Sequence, residues 1–213
     1  MFANGTMYAM KKTIELTDPR TLRALAHPTR LALVGLLRQH GSLTATQAAG
    51  MLGLNTGACS FHLRQLAKYG LVEEVSSPGR QKPWRATAQS TSWPAVTSGP
   101  EMAAAVQLLS TVVAEHYVTL MFRWLERRTD EPVEWQEAAW FGDLLLHMTP
   151  QELTAVGKQL EVLVAPYQQR VVEQPEQRPA GSRLVTMLHV AIPREEGSYQ
   201  KESGNQNERE DSV

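Results

Sequence analysis

Residues 55–70 read NTGACSFHLRQLAKYG. Laid on a helix at about 100° per residue, Cys59, Leu63 and Leu66 gather on one side, the spacing of a face that packs on a core. Gly57, Ser60, Phe61, Arg64, Gln65 and Lys68 fill the opposite arc. Asn55 is a natural helix cap, and Gly53 just before it allows a tight turn. No Asp or Glu occurs between Asn55 and Leu71, where a solvated helix face would normally carry several.

A carboxylate-free arc of hydroxyl, amide and guanidinium donors is the composition that a helix lying in a DNA groove requires. Arg pairs with guanine, Phe touches a thymine methyl, and acidic groups would be repelled by phosphate. Thr56 and Gly57 open the helix, where unpaired backbone N–H groups favour phosphate. Gly57 also lets the backbone approach a duplex closely. His62 lies at the edge between the two faces, and either a phosphate contact or a packing role fits it. Cys59 reads as a small buried hydrophobe beside Leu63 and Leu66. The alternative is a redox switch that pushes the helix off its support.

Working outward, TDPRTLRALAHPTRLALVGLLRQHG precedes the helix. Asp18 caps a first helix with Pro19 at its first position. His27-Pro28 breaks it, because the residue before proline avoids helical angles. A second helix runs to about His40 and stops at Gly41. SLTATQAAGMLGLN gives a short extended piece, then a small helix over 44–51 and the tight turn. Downstream, LVEEVSS and KPWRATA are strand-like and flank the Pro-Gly turn of SPGRQ. Trp84 packs this hairpin on the body. The hairpin carries Arg80 and Lys82 at its tip. Small helix, turn, helix and basic hairpin together make a winged helix-turn-helix. Its candidate DNA-binding residues are Thr56, Gly57, Ser60, Phe61, His62, Arg64, Gln65, Lys68, Arg80 and Lys82.

LAHPTRLALVGLL, HLRQLAKYGLVEE and a wing ending PWRAT resemble the arsenic-repressor (ArsR) type of winged-helix transcription regulators over residues 17–90. The resemblance implies a homodimer that binds a palindromic operator in double-stranded DNA and usually represses. Ser60, Phe61 and Arg64 fall where that family's recognition helix faces DNA. The family's metal sensors carry a Cys-x-Cys pair before the turn or His/Asp/Glu sites on a long C-terminal helix. TATQAAGML holds neither Cys nor His, and His116 with Glu115 does not reproduce the helix pattern, so no metal or other cofactor is expected.

Beyond QSTSWPAVTSGP the chain is read as helical. Met102, Val106, Leu109, Val113, Tyr117, Leu120 and Trp124 recur every three or four residues after Pro100, one apolar stripe expected to form the dimer seam. EPVEWQEAAWFGDLLLHM predicts a second helix, and the capping box Thr149-Pro150-Gln151-Glu152 starts a third that runs to about Arg170. RLVTMLHVAI predicts a strand stopped by Pro193. The expected organisation is a loose N-terminus (1–15), the winged domain (16–90), a connector (91–99), a helical dimerisation and effector region ending in a strand (100–193), and a disordered tail (194–213). The fold class is mainly α with a small β wing. Trp124, Trp135 and Trp140 would line an effector pocket or simply pack a core, and no effector is identifiable.

Charge divides with the same boundary. Residues 11–90 hold eleven Lys/Arg against four Asp/Glu, and 91–213 hold ten against eighteen, although the whole chain is −1. A basic part beside an acidic one points to a polyanionic partner for the first. A single cysteine rules out an internal disulfide framework. No apolar run of span length is evident, and MFANGTMYAMKK lacks an apolar stretch before its lysines, so a cytoplasmic protein with no membrane partner is expected. No nucleophile elbow, dinucleotide fingerprint, phosphate loop or paired carboxylates occur, which argues against an enzyme. Two other readings remain: a winged-helix module that docks only proteins, and a ligand- or redox-responsive sensor.

Overall fold

The computed structural model describes residues 11–77, 82–171 and 175–194. Its elements run β1 (Lys11–Glu15), α1 (Pro19–Leu25), α2 (Pro28–His40), β2 (Leu43–Thr44), α3 (Ala45–Leu52), α4 (Thr56–Lys68), β3 (Val72–Glu74), β4 (Pro83–Ala86), β5 (Ala88–Ser92), α5 (Pro100–Arg127), α6 (Val133–Ala138) and α7 (Pro150–Gln169).

Local chemistry sets the helix starts. Asp18 accepts from the Thr21 N–H at 3.0 Å and caps α1. His27 caps α2, its Nδ1 accepting from the Thr29 N–H at 3.1 Å. Thr44 and Gln47 form a reciprocal capping box on α3, a pair not read from the sequence. Gly53 ends α3 in the left-handed region at φ 66°, which glycine adopts without a steric cost. Thr149 and Glu152 form the expected box on α7.

The wing is a three-stranded sheet in the order β2-β4-β3, antiparallel throughout. Trp84 on β4 is buried opposite Leu43 and Glu74. The core is built from α1 to α4 and the wing: Leu22, Leu25, Leu33, Val34, Leu37, Ala48, Cys59, Leu63, Leu66 and Val72 are all buried together. Full burial of an aliphatic side chain stabilises by about 1.5–3 kcal/mol, so this apolar cluster holds α4 in place.

Several expectations are corrected. Residues 11–15 are not loose: they form β1, which pairs in parallel with β5 in a separate two-stranded sheet. Arg38 ties that sheet to α2, donating from Nε to the Ala88 carbonyl at 3.0 Å and from Nη2 to Thr91 Oγ1. Burial lowers its pKa to about 10. The segment 91–99 does not isolate α5 from the winged domain. Ala105 and Leu109 of α5 are buried in that domain's core, with Met102, Val106 and Val113 packed against it. Leu109 is therefore consumed within the chain and does not face outward as a dimer seam residue. The helix expected over 131–148 is confined to α6, and 139–149 is irregular. The strand expected at 183–192 is not formed. The tail beyond Arg194 lies outside the described residues. By length and composition alone, residues 100–130 match a membrane span, which amends the sequence reading.

Two compact units are distinguished. One comprises the residues up to Leu144 together with Leu163–Leu184, and the other comprises Leu145–Val162 with the residues from Val185 onward. The first contains the whole winged domain and α5. In it Glu131 accepts from Arg127 at 2.8 Å and from Arg183 at 2.6 Å. In the second, a shallow depression of about 370 Å³ lies beside Met148, Glu152 and Val156.

Candidate nucleic-acid interface

The small helix α3, its left-handed turn and α4 place α4 on the surface with its apolar side inward. Asn55 accepts from the Ala58 N–H at 2.7 Å, and no acidic residue stands in the first turn. Cys59, Leu63 and Leu66 are completely buried, as the spacing predicted. The opposite arc presents Thr56, Gly57, Phe61, Arg64 and Lys68 to solvent, with Ser60 and Gln65 half-buried at its margins. Phe61 is 53% exposed, a large aromatic surface that folding leaves uncovered.

Geometry refines several of these residues. A Cβ on Gly57 would lie 3.3 Å from Asn55 Oδ1, so glycine here also keeps the capping side chain in place. Arg64 lies back along its own helix, Nε donating to the Ser60 carbonyl at 3.2 Å. The Lys68 ammonium sits 5.8 Å from the Tyr69 ring centroid. His62 is half-buried, its ring 4.8 Å from that of His27 and 5.4 Å from that of Phe61. Of its two open roles, packing is the one this contact supports. Burial lowers the pKa of His62, with His27 and Arg30 adding to the effect. Burial, then Arg30, lowers that of His27. Both rings thus favour the neutral form, which His27 needs to accept from Thr29.

The wing carries its cations differently from the sequence expectation. Lys82, just before β4, pairs through Nζ with Glu74 Oε2 at 3.1 Å, and Arg85 Nε of β4 pairs with Glu73 Oε1 of β3 at 2.7 Å. A duplex must compete with Glu74 for Lys82. Arg80 lies outside the described residues.

Sequence reasoning missed a basic cleft on the flank of α4. It has a volume of about 270 Å³ and is lined by Arg20, Arg23 and Ala24 of α1, Arg30 of α2, and Gln65 and Tyr69 at the α4 end. The charge count of the N-terminal part was the available signal, but the convergence of these residues is tertiary.

Other candidate chemistry is weak. Cys59 is buried and burial raises its thiol pKa, which opposes thiolate reactivity. Among the described residues there is no group of three or more His, Cys, Asp or Glu placed to hold a metal. Trp124 and Trp135 carry the guanidinium groups of Arg127 and Arg183 at 5.5 and 5.0 Å, while Trp140 is exposed.

Residues 25–75 match a family model described as a helix-turn-helix domain. No curated protein matches the chain. Among solved structures, the chain is similar to the homodimeric winged helix-turn-helix DNA-binding domain (fragment 1–100) of Mb0332 from Mycobacterium bovis, a possible ArsR-family transcriptional regulator. The two are 28% identical over 46% of this chain and 78% of that one, with a TM-score of 0.31. The transcriptional repressor BigR from Xylella fastidiosa is 23% identical over 45% of this chain and 82% of its own, TM-score 0.29. The MarR family protein RV2887 from Mycobacterium tuberculosis, solved with salicylic acid, is 18% identical over 68% of this chain and 85% of its own, TM-score 0.29. The helix order, the turn and the antiparallel sheet make a winged helix-turn-helix, and a helical extension follows.

Proposed function

We propose that this winged helix-turn-helix chain is a sequence-specific DNA-binding transcription regulator of the ArsR type, acting in the cytoplasm as a homodimeric repressor on a palindromic operator and performing no catalysis. The observation that carries the reading is α4. Its leucines are locked in the core, while Thr56, Gly57, Phe61, Arg64 and Lys68 form an exposed face with no carboxylate. Exposed cations supply salt-dependent affinity, and side chains reaching base edges supply specificity.

Dimerisation places two such helices about 34 Å apart, one turn of DNA. The seam is assigned to the distal part of α5. Tyr117, Leu120 and Trp124 are half-buried there, and Val118, Phe122 and Leu125 are exposed at i, i+4 and i+7. This apolar stripe lies beyond the part of α5 that packs on the winged domain. A second copy laid along it removes that surface from water. The remaining helical segments are assigned to an effector whose chemistry the chain does not specify.

Selection of bound sites from a random duplex pool tests the proposal. A palindrome with half-sites one turn apart is the expected result. A chain that retains no duplex even at low salt refutes it. The exposed Phe61 and the Glu-paired wing cations favour one second reading, a protein-docking winged helix, and that reading predicts the negative result.

A further inference from the structure

We propose that the cleft between α1, α2 and the end of α4 is a binding site for a phosphate-like oxyanion. Three arginines from two helices line it, joined by the side-chain amide of Gln65 and the hydroxyl-bearing ring of Tyr69. No carboxylate is among its lining residues. The acids at its edge are Asp18, which interacts with Arg20, and Glu101, which accepts from Arg23 at 2.9 Å.

The decisive atom is Arg30 Nε, which is buried and meets no acceptor. A buried donor left unpaired is costly, and a charged one more so. Nε is closed to solvent as the side chain lies, so an oxyanion in the cleft meets it only when Arg30 shifts, and the guanidinium fork then matches the anion bidentately. The depression, about 270 Å³, is open to solvent, so an oxyanion can enter it while the group that bears it stays outside.

Occupancy has a structural consequence. An anion engaging Arg23 competes with Glu101, which stands in the first turn of α5. The same anion contacts Gln65, next to Arg64 on the reading helix. The site therefore couples the position of α4 to the start of α5. Its ligand is either a phosphate of a bound duplex or the phosphate or carboxylate of a free solute, and the chemistry of recognition is shared.

The test uses the full chain and inorganic phosphate, titrated against chloride at constant ionic strength and followed by NMR shifts of α1 and α4. A saturable response in the wild type, weakened at least tenfold in Arg30→Gln but unchanged in Lys158→Gln, is expected. Lys158 is exposed on α7, so its loss controls for net charge. Arg20→Gln serves as a second variant if Arg30→Gln fails to fold, as judged by circular dichroism. An unsaturable wild-type response, or equal weakening by Lys158→Gln, overturns the site. This phosphate result stands whether or not the chain binds DNA. A second arm identifies the source. If the duplex backbone supplies the anion, Arg30→Gln lowers the log–log salt slope of DNA binding by about 1. If the slope is unchanged while phosphate binding is lost, the ligand is a free solute. Either pattern supports the site.

Discussion

Leu109→Ala separates two roles that the sequence merges. Leu109 is fully buried in the core of the winged domain, together with Ala105 of the same helix. Truncation removes three buried carbons and leaves a cavity, because α1 and α2 cannot close over it completely. Leu→Ala at such sites costs about 2–5 kcal/mol, and complete burial argues for the middle of that range, about 3 kcal/mol. Phe122 lies further along the same helix and is 60% exposed. Its truncation leaves little folded-state packing to lose within one chain. The assay is denaturant unfolding at several protein concentrations, alongside sedimentation equilibrium. Leu109→Ala is expected to lower the midpoint by the same amount at every concentration and to leave the self-association constant unchanged. Phe122→Ala is expected to weaken self-association. If Leu109→Ala instead dissociates the assembly without a loss of folding stability, Leu109 belongs to an interface and its assignment to the core is refuted.

Arg64→Ala is expected to cost about 1–3 kcal/mol at the preferred site and to relax base preference, read by binding to a panel of single-base variants; a loss equal on every duplex contradicts a base-reading role. Glu74→Gln releases Lys82 and is expected to tighten binding to all duplexes alike, whereas Lys82→Ala weakens it and lowers the salt slope by about 1. Gel shifts across a salt series check both, and opposite signs are required. His27 and His62 have folded pKa values below the ordinary 6.5, so the unfolded chain binds protons first. Their contribution is full above pH 6.5 and is lost as pH falls through the lowered folded values. Unfolding midpoints between pH 7.5 and 5 are expected to fall, less steeply in His62→Phe, and parallel curves argue against the pair.

The sequence alone determined what is local. The two faces of α4 follow from helical periodicity. The caps of α1 and α7 follow from Asp18 and from the Thr149–Glu152 box, because a cap joins residues three apart. The pairing of β3 with β4 follows from two β-prone runs, while the Pro-Gly turn read between them lies outside the described residues. Tertiary structure decided whatever joins distant segments. The parallel pairing of β1 with β5 spans about 77 residues, and short polar strands carry no signal of such a partner. The apolar stripe of α5 is one pattern in the sequence, yet its first part is buried by its own chain and its distal part is left partly exposed. Periodicity records that a face is apolar and not what covers it. Lys82 is basic in the sequence but paired once β3 and β4 align, and the arginine cleft exists only because α1, α2 and α4 converge. Long-range contacts depend on the three-dimensional closure of loops, and neither spacing nor composition encodes that closure residue by residue.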